Sequence, residues 1–222
     1  MPVDVEVLRK ISFFATLEQN DLQHVAAMTM ERHYERGDII LLEGEKGGAL
    51  HYVYSGRVKV FKTSPEGREQ VLRLIAEGNT FNDVPALDGG ENPASASAME
   101  PSTVYVIRRA DLQALIRSRP EVASAVVQTL ANALRHLVTL VEDLSLRHVT
   151  ARVAKLLLEQ EETLQLGEQK GHRLTQQEMA AIVGTAREVV GRALKELEAT
   201  GAIAVRQGRV VVLDREQLRM RV

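Results

Sequence analysis

Cysteine is absent from all 222 residues. Disulfides, thiolate metal sites and cysteine-bound iron–sulfur clusters are excluded with it, and so is a thiol-based redox sensor. No apolar run approaches the roughly 18 to 20 residues needed to cross a bilayer. The first residues also lack the basic start, apolar core and small-residue cleavage site of a secretory leader. A cytoplasmic protein, neither exported nor membrane-spanning, is expected. Metal-ligand spacing is missing too: the histidines at 24, 33, 51, 136, 148 and 172 are scattered, and no nucleophile stands beside an obvious base. No bound metal and no enzyme activity are expected.

What is present is ordinary globular composition, 45% hydrophobic and 26% charged, with room for two domains. The formal net charge of -2 argues against nucleic acid only until the charges are located. Residues 149–222 carry 12 Lys and Arg against 10 Asp and Glu, leaving 16 against 20 for residues 1–148. The C-terminal part is mildly basic.

Short helices are predicted over residues 3–8 and 18–28, after which glycines at 37, 44, 56, 67 and 78 separate β-rich runs. Runs over 38–42, 50–54, 57–62, 69–75 and 95–107 spell a compact β-roll. Residues 78–96 read as a loop that could line a pocket in it. From 119 to 146 Pro120 stands at a helix start and no glycine follows. Val127, Leu130, Leu134, Leu137, Val141 and Leu144 alternate steps of three and four, a heptad seam that predicts a parallel homodimer. The alternative is a helix packed only on its own roll. Residues 146–148 break the seam, a helix is predicted over 149–159, and 159–171 is polar and loop-like. The expected organisation is α+β: a β-roll effector or sensor domain (1–118), a long dimerisation helix (119–147) and a C-terminal winged helix-turn-helix (148–222).

That last domain centres on residues 174–198, LTQQEMAAIVGTAREVVGRALKELE. Thr175 with Glu178, and Thr185 with Glu188, fit the box in which a hydroxyl caps a helix and a carboxylate three residues on returns the bond. Gly184 supplies the turn between two helices. In the second helix Val190, Ala193, Leu194 and Leu197 form the inward face, leaving Arg187, Glu188, Gly191, Arg192 and Lys195 outward, where they can enter a major groove. Beyond it, alternating Ile203 and Val205, a turn at Gln207 and Gly208, and Val210 and Val212 make a hairpin.

This order of parts, the 174–198 wording and the runs RGDIILLEGE and YVYSGRVKVFK resemble the cyclic-AMP receptor protein and Fnr family of bacterial transcription regulators, over essentially the full chain. In that family an R-E-x-x-x-R triplet reads bases, which implies base contacts for Arg187, Glu188 and Arg192. Chemistry supports the roles: arginine places two donors on guanine O6 and N7, and glutamate accepts from cytosine N4. A G·C-containing half-site is expected. Glu188 could instead serve only the cap with Thr185. Thr175 and Gln177 resemble phosphate-holding positions, and Lys195, Arg206 and Arg209 are further phosphate candidates. Ala186 and Val189 depart from the family, standing where hydroxyl residues add phosphate contacts in the cyclic-AMP receptor protein.

The effector site departs further. Nucleotide binders of the family carry approximately F-G-E-L-A-L and then R-S-A or R-T-A, with glutamate on the ribose and arginine on the cyclic phosphate. This chain has Phe81, Asn82, Asp83, Val84, Pro85, Ala86 and Leu87, then Asn92, Pro93 and Ala94. The arginine is gone, and Pro93 has no N–H to offer. An anion opposite Asp83 without a cation would be heavily penalised. Leu137 and Val138 replace the hydroxyl residues that would meet an adenine. Cyclic AMP is therefore not expected. A smaller, more apolar metabolite near Asn82, Asp83, Asn92, Leu137 and Val138, or no effector, remain the alternatives. No cofactor is expected; the Cys and His ligand segment of the family's haem sensors is missing.

The resemblance implies a homodimeric, sequence-specific transcription regulator on a near-palindromic site, with double-stranded DNA and RNA polymerase as partners and no membrane. A loop at 164–171 lies where relatives touch the polymerase. The rivals are a cupin-like small-molecule-binding or metal-dependent enzyme using the roll pocket, and a structural DNA binder without sequence preference.

Overall fold

A computed structural model describes residues 3–165, 174–206 and 209–222. The chain divides into two compact units, one of residues 1–62 and 72–137 and the other of 63–71 and 138–222. The long helix, set apart by its sequence as a segment of its own, is shared between them at 137/138.

The first unit opens with α1 (Val5–Arg9) and α2 (Gln19–Met28), followed by strands β1 (Met30–Tyr34), β2 (Ile39–Leu41), β3 (Ala49–Ser55), β4 (Arg57–Thr63), β5 (Glu69–Ala76) and β6 (Thr80–Phe81). Helix α3 (Asp83–Asp88), strands β7 (Ser95–Ala98) and β8 (Ser102–Arg108), helix α4 (Arg109–Ser118) and helix α5 (Pro120–Leu146) follow. The strands form two four-stranded sheets, ordered β1-β8-β3-β6 and β2-β7-β4-β5. Between the sheets lie Val53, Phe81, Val104 and Val106 from the first, and Val58, Ile75 and Ala96 from the second. Side chains alternate along a strand, so the next residues of β3 and β8, Leu50, Tyr52, Tyr105 and Ile107, point to the other face of the first sheet. There Leu8, Ile11, Phe13, Phe14 and Leu22 cover them, with Leu112 of α4 and Val122 and Val126 of α5. This second, helical layer explains why β8 is buried on both faces.

Two features differ from expectation. The predicted loop at 78–96 contains α3, entered through Asn82 at φ 61 and left through Gly89 at φ 78. Pro85 is tolerated because the first-turn N–H groups have no intrahelical partner to lose. Strand β1 has no counterpart among the expected β-rich runs: it is an exposed edge strand with the polar sequence MERHY, held by pairing with β8. Gly56 joins β3 to β4 at φ 89, where an added Cβ would lie 2.7 Å from Pro101 O and 2.8 Å from Ser102 Cα. Gly56→Ala combines left-handed strain with a backbone clash. It is expected to cost about 2 to 4 kcal/mol in urea unfolding at fixed protein concentration.

The second unit contains α6 (Val149–Gln165), α7 (Gln176–Val183), α8 (Arg187–Ala199), the hairpin β9 (Ile203–Arg206) and β10 (Arg209–Val212), and α9 (Arg215–Arg219). Its core draws Val153, Ala154 and Leu157 from α6, Met179, Ala180 and Val183 from α7, and Val190, Ala193, Leu194 and Leu197 from α8. Helix α6 runs past residue 159, where polarity suggested a loop. The polar residues are its outer face: Glu161 and Glu162 meet Arg215 at 3.3 and 3.0 Å. No helix among the described residues is long and apolar enough to cross a membrane.

Candidate nucleic-acid interface and effector cavity

The capping box at α7 is formed as its sequence predicts. The Glu178 backbone N–H donates to Thr175 Oγ1 at 3.2 Å, and the Thr175 N–H donates to Glu178 Oε2 at 2.6 Å. The helix ends at Gly184, φ 69, whose N–H returns to Ala180 O. An added methyl there would approach Leu144 Cδ2 to 2.6 Å and Gln70 Oε1 to 2.5 Å, so both backbone angle and space call for glycine.

The second predicted box does not form. The Thr185 N–H is spent on Ala180 O at 3.0 Å, closing α7, and α8 starts one residue later from Ala186, without a side-chain cap. This correction matters for Glu188: it is exposed in the first turn of α8 and uncommitted to a cap. Arg187, Arg192 and Lys195 are exposed as well. Arg187 and Arg192 are separated by about 7.5 Å of helix rise, roughly two base-pair steps.

Gly191 lies between them in a helix interior, where glycine costs up to about 1 kcal/mol against alanine. The protein does not require it: an added Cβ would meet only Gln176 Oε1, at 3.9 Å. The missing side chain leaves the outer surface of α8 open to close approach. Gly191→Ala is expected to raise unfolding stability by about 0.5 to 1 kcal/mol while weakening DNA binding, two readouts that move in opposite directions.

Of the phosphate candidates, Thr175 and Gln177 are exposed at the start of α7, and the Thr175 hydroxyl already accepts the cap bond. Arg206 and Arg209 are exposed and paired across the β9–β10 hairpin. The turn residues Gln207 and Gly208 lie outside the described residues, as do His172 and most of the proposed polymerase segment, 166–171.

Along α5 the seam positions Val127, Leu134, Leu137 and Val141 are 67%, 63%, 41% and 63% exposed. Leu130 packs partly on the roll core and Leu144 is half-buried against Gly184.

Each of the five effector-pocket candidates has its own surroundings. Asn82 adopts the left-handed conformation and its amide donates to Ala49 O at 3.2 Å. Asn92 is 3% exposed and ties two loops, its amide on Leu42 O and its N–H on Glu45 O. Leu137 and Val138 are solvent-exposed. Asp83 is 6% exposed, and burial pushes its carboxyl pKa up, with the Thr80 hydroxyl and Arg73 pulling the other way. Arg73 corrects the expectation of a site without a cation: its guanidinium lies 3.8 Å from Asp83. The residue comes from β5, outside the 81–94 segment that carries the family's nucleotide-binding residues.

A cavity of about 500 Å³ opens in the first unit beside Asp83, lined by its partners Arg73 and Thr80 together with Lys10, Gln128, Asn132 and His136 among others. None of the five candidates belongs to its lining.

His51 is buried beside Phe81, ring centroids 5.0 Å apart, and desolvation pushes its pKa down to about 4. The folded value lies below the ordinary 6.5, so between them the unfolded chain binds the extra proton. Stability from neutral His51 is present at pH 7 and is lost as pH falls from 6.5 through 4. The loss of unfolding free energy between pH 7 and pH 5 is expected to be about 2 kcal/mol larger than in His51→Phe. Urea titrations at the two pH values measure the difference.

Comparison with known proteins agrees with this architecture. Residues 31–119 match the cyclic nucleotide-binding domain family and residues 151–221 the Crp-like helix-turn-helix domain. A CRP-like cAMP-activated global transcriptional regulator from Mycobacterium tuberculosis is 30% identical over 97% of this chain and 98% of its own length. The chain belongs to the CRP/FNR family of DNA-binding transcription regulators. Another member, the cyclic AMP receptor protein of Thermus thermophilus, is 34% identical over 90% of this chain and 92% of that one. The solved structure of a CRP/FNR-family transcriptional regulator, also from Thermus thermophilus, superposes with a TM-score of 0.72 at 26% identity, covering 86% and 97% of the two chains. As a CRP/FNR protein the chain is a regulator and not an enzyme, and the cupin-like alternative finds no support in these matches. Among the described residues no group of three or more His, Asp or Glu could hold a metal ion.

Proposed function

We propose that this CRP/FNR chain acts in the cytoplasm as a homodimer that reads a near-palindromic, G·C-containing DNA site, contacts RNA polymerase, and is not switched by cyclic AMP. The observation that carries the reading is the exposed triplet Arg187, Glu188 and Arg192 on α8. Arg187 and Arg192 are suited to guanine and Glu188 to cytosine. Thr175, Gln177, Lys195, Arg206 and Arg209 supply phosphate contacts that hold the register. Two chains join through the exposed apolar seam of α5, which places two reading helices about 34 Å apart, in successive major grooves.

Independence from cyclic AMP rests on the roll. Asn92 and Pro93 stand where the family's nucleotide binders carry arginine and its neighbour, and Asn92 is already tied to Leu42 and Glu45. Asp83 carries its own cation, Arg73, so a cyclic phosphate would have to displace an existing charge pair. Fluorescence anisotropy on a selected site tests this: millimolar cyclic AMP should leave the affinity unchanged, and a tenfold tightening would refute it.

A further inference from the structure

One residue near the reading surface of α8 has no part in the contacts proposed above. Val189 is half-exposed and stays outside the core formed by Val190, Ala193, Leu194 and Leu197. At about 100° per residue it follows Arg192 around the helix by about 60°, on the flank next to the base-reading side chains. Ala186, three residues earlier at the helix entry, is exposed. The two side chains set methyl groups beside Glu188 and Arg192, where the other exposed groups are charged.

Val189 has no donor to give a phosphate. Its side chain carries no polar atom, and its backbone N–H is bonded to Ala186 O at 3.0 Å. It can touch DNA only through its methyl groups. Local helix formation does not call for it either, since a β-branched side chain lowers helix propensity relative to alanine. Depth decides whether so short a side chain reaches a base. Gly191 removes a side chain from the outward surface of α8, and an added Cβ there would meet only Gln176 Oε1, at 3.9 Å, so the helix can sit close to the floor of a groove. Along that floor the donors and acceptors of the base edges would lose water to a valine and gain nothing in return. The methyl group at C5 of thymine is the apolar feature that the major groove offers.

We infer that Val189, flanked by Ala186, is a specificity-determining residue that selects thymine in each half-site by packing on its C5-methyl group, at a base pair beside the one read by Arg192. The inference rests on the regulator reading. It adds to the G·C contacts of Arg187, Glu188 and Arg192 a T·A pair that is chosen without a hydrogen bond.

Deoxyuridine isolates the methyl group, because uracil presents the same donors and acceptors as thymine. On the duplex selected by the full chain, the thymines are replaced by deoxyuridine one symmetric pair at a time, and Kd is measured by fluorescence anisotropy. At one such pair the wild-type chain should lose about fourfold per half-site, or about 15-fold on the whole duplex, as expected for one buried methyl group. Val189→Ala should bind the thymine and uracil duplexes alike at that pair while still discriminating guanine at the position read by Arg187. Alanine raises helix propensity at a half-exposed position, so the variant should keep the wild-type circular dichroism. A selected half-site without thymine, affinity indifferent to every thymine methyl, or a methyl effect that Val189→Ala leaves undiminished overturns the inference; in the last case the methyl acts through another side chain or through DNA stiffness. The selection separates the two ideas. An enriched palindrome without a Val189-dependent methyl effect sinks the thymine reader alone, whereas absence of any enriched site sinks the regulator reading and the thymine reader with it.

Discussion

Leu134→Glu is expected to turn the proposed dimer into a monomer and lower affinity for the proposed specific DNA site by about 100-fold or more. In the single chain Leu134 is 63% exposed, and Val127 and Val141, one heptad before and after, are exposed to a similar degree. Replacing Leu134 therefore disturbs little within the chain, and far-ultraviolet circular dichroism should be unchanged. In a two-fold seam every substitution appears twice. Each chain would lose the roughly 1.5 to 3 kcal/mol of a buried leucine and gain a carboxylate facing its own copy. The DNA penalty is larger than the seam energy alone because two half-sites are then bound independently, without the effective concentration that linkage provides. Sedimentation equilibrium and anisotropy measure the two effects. A variant that stays dimeric with wild-type affinity would place the dimer contact elsewhere.

Arg187→Ala is expected to weaken binding to the selected site by about 10 to 100-fold, or 1 to 3 kcal/mol, while leaving binding to random DNA nearly unchanged. The selectivity for guanine at one position of each half-site should be lost. Arg187→Lys should not restore it, since an ammonium cannot present the parallel donors of a guanidinium. Arg209→Ala should behave differently, weakening all sequences alike and reducing the salt slope by about one. The contrast follows from position: Arg187 opens the exposed face of α8, whereas Arg209 lies on the hairpin. Equal loss on specific and random DNA for both variants would contradict the assignment of bases to one and phosphates to the other.

Features whose cause is local were legible in the sequence. The turn glycines marked the roll strands, the apolar face of α8 matched the buried Val190, Ala193, Leu194 and Leu197, and the Thr175 box closed as drawn. Features whose cause is tertiary were not. Strand β1 has no apolar alternation because only its backbone pairing with β8 makes it a strand. The extension of α6 depends on Arg215, more than fifty residues later. Thr185 and Glu188 have the spacing of a capping box, but the exit of α7 claims the Thr185 N–H first. The cavity was invisible for the same reason: Lys10, Arg73 and His136 share no local spacing, and only packing of α5 on β5 and the N-terminal segment gathers them. The cation beside Asp83 has the same kind of origin: it comes from β5 through the fold, with no local spacing that ties it to Asn92.

Selection from a pool of randomised duplex DNA tests the central claim most directly. The wild-type chain should enrich a near-palindrome whose half-sites contain G·C pairs and lie about one helical turn apart. Recovery of DNA without any shared, two-fold-related sequence would contradict it.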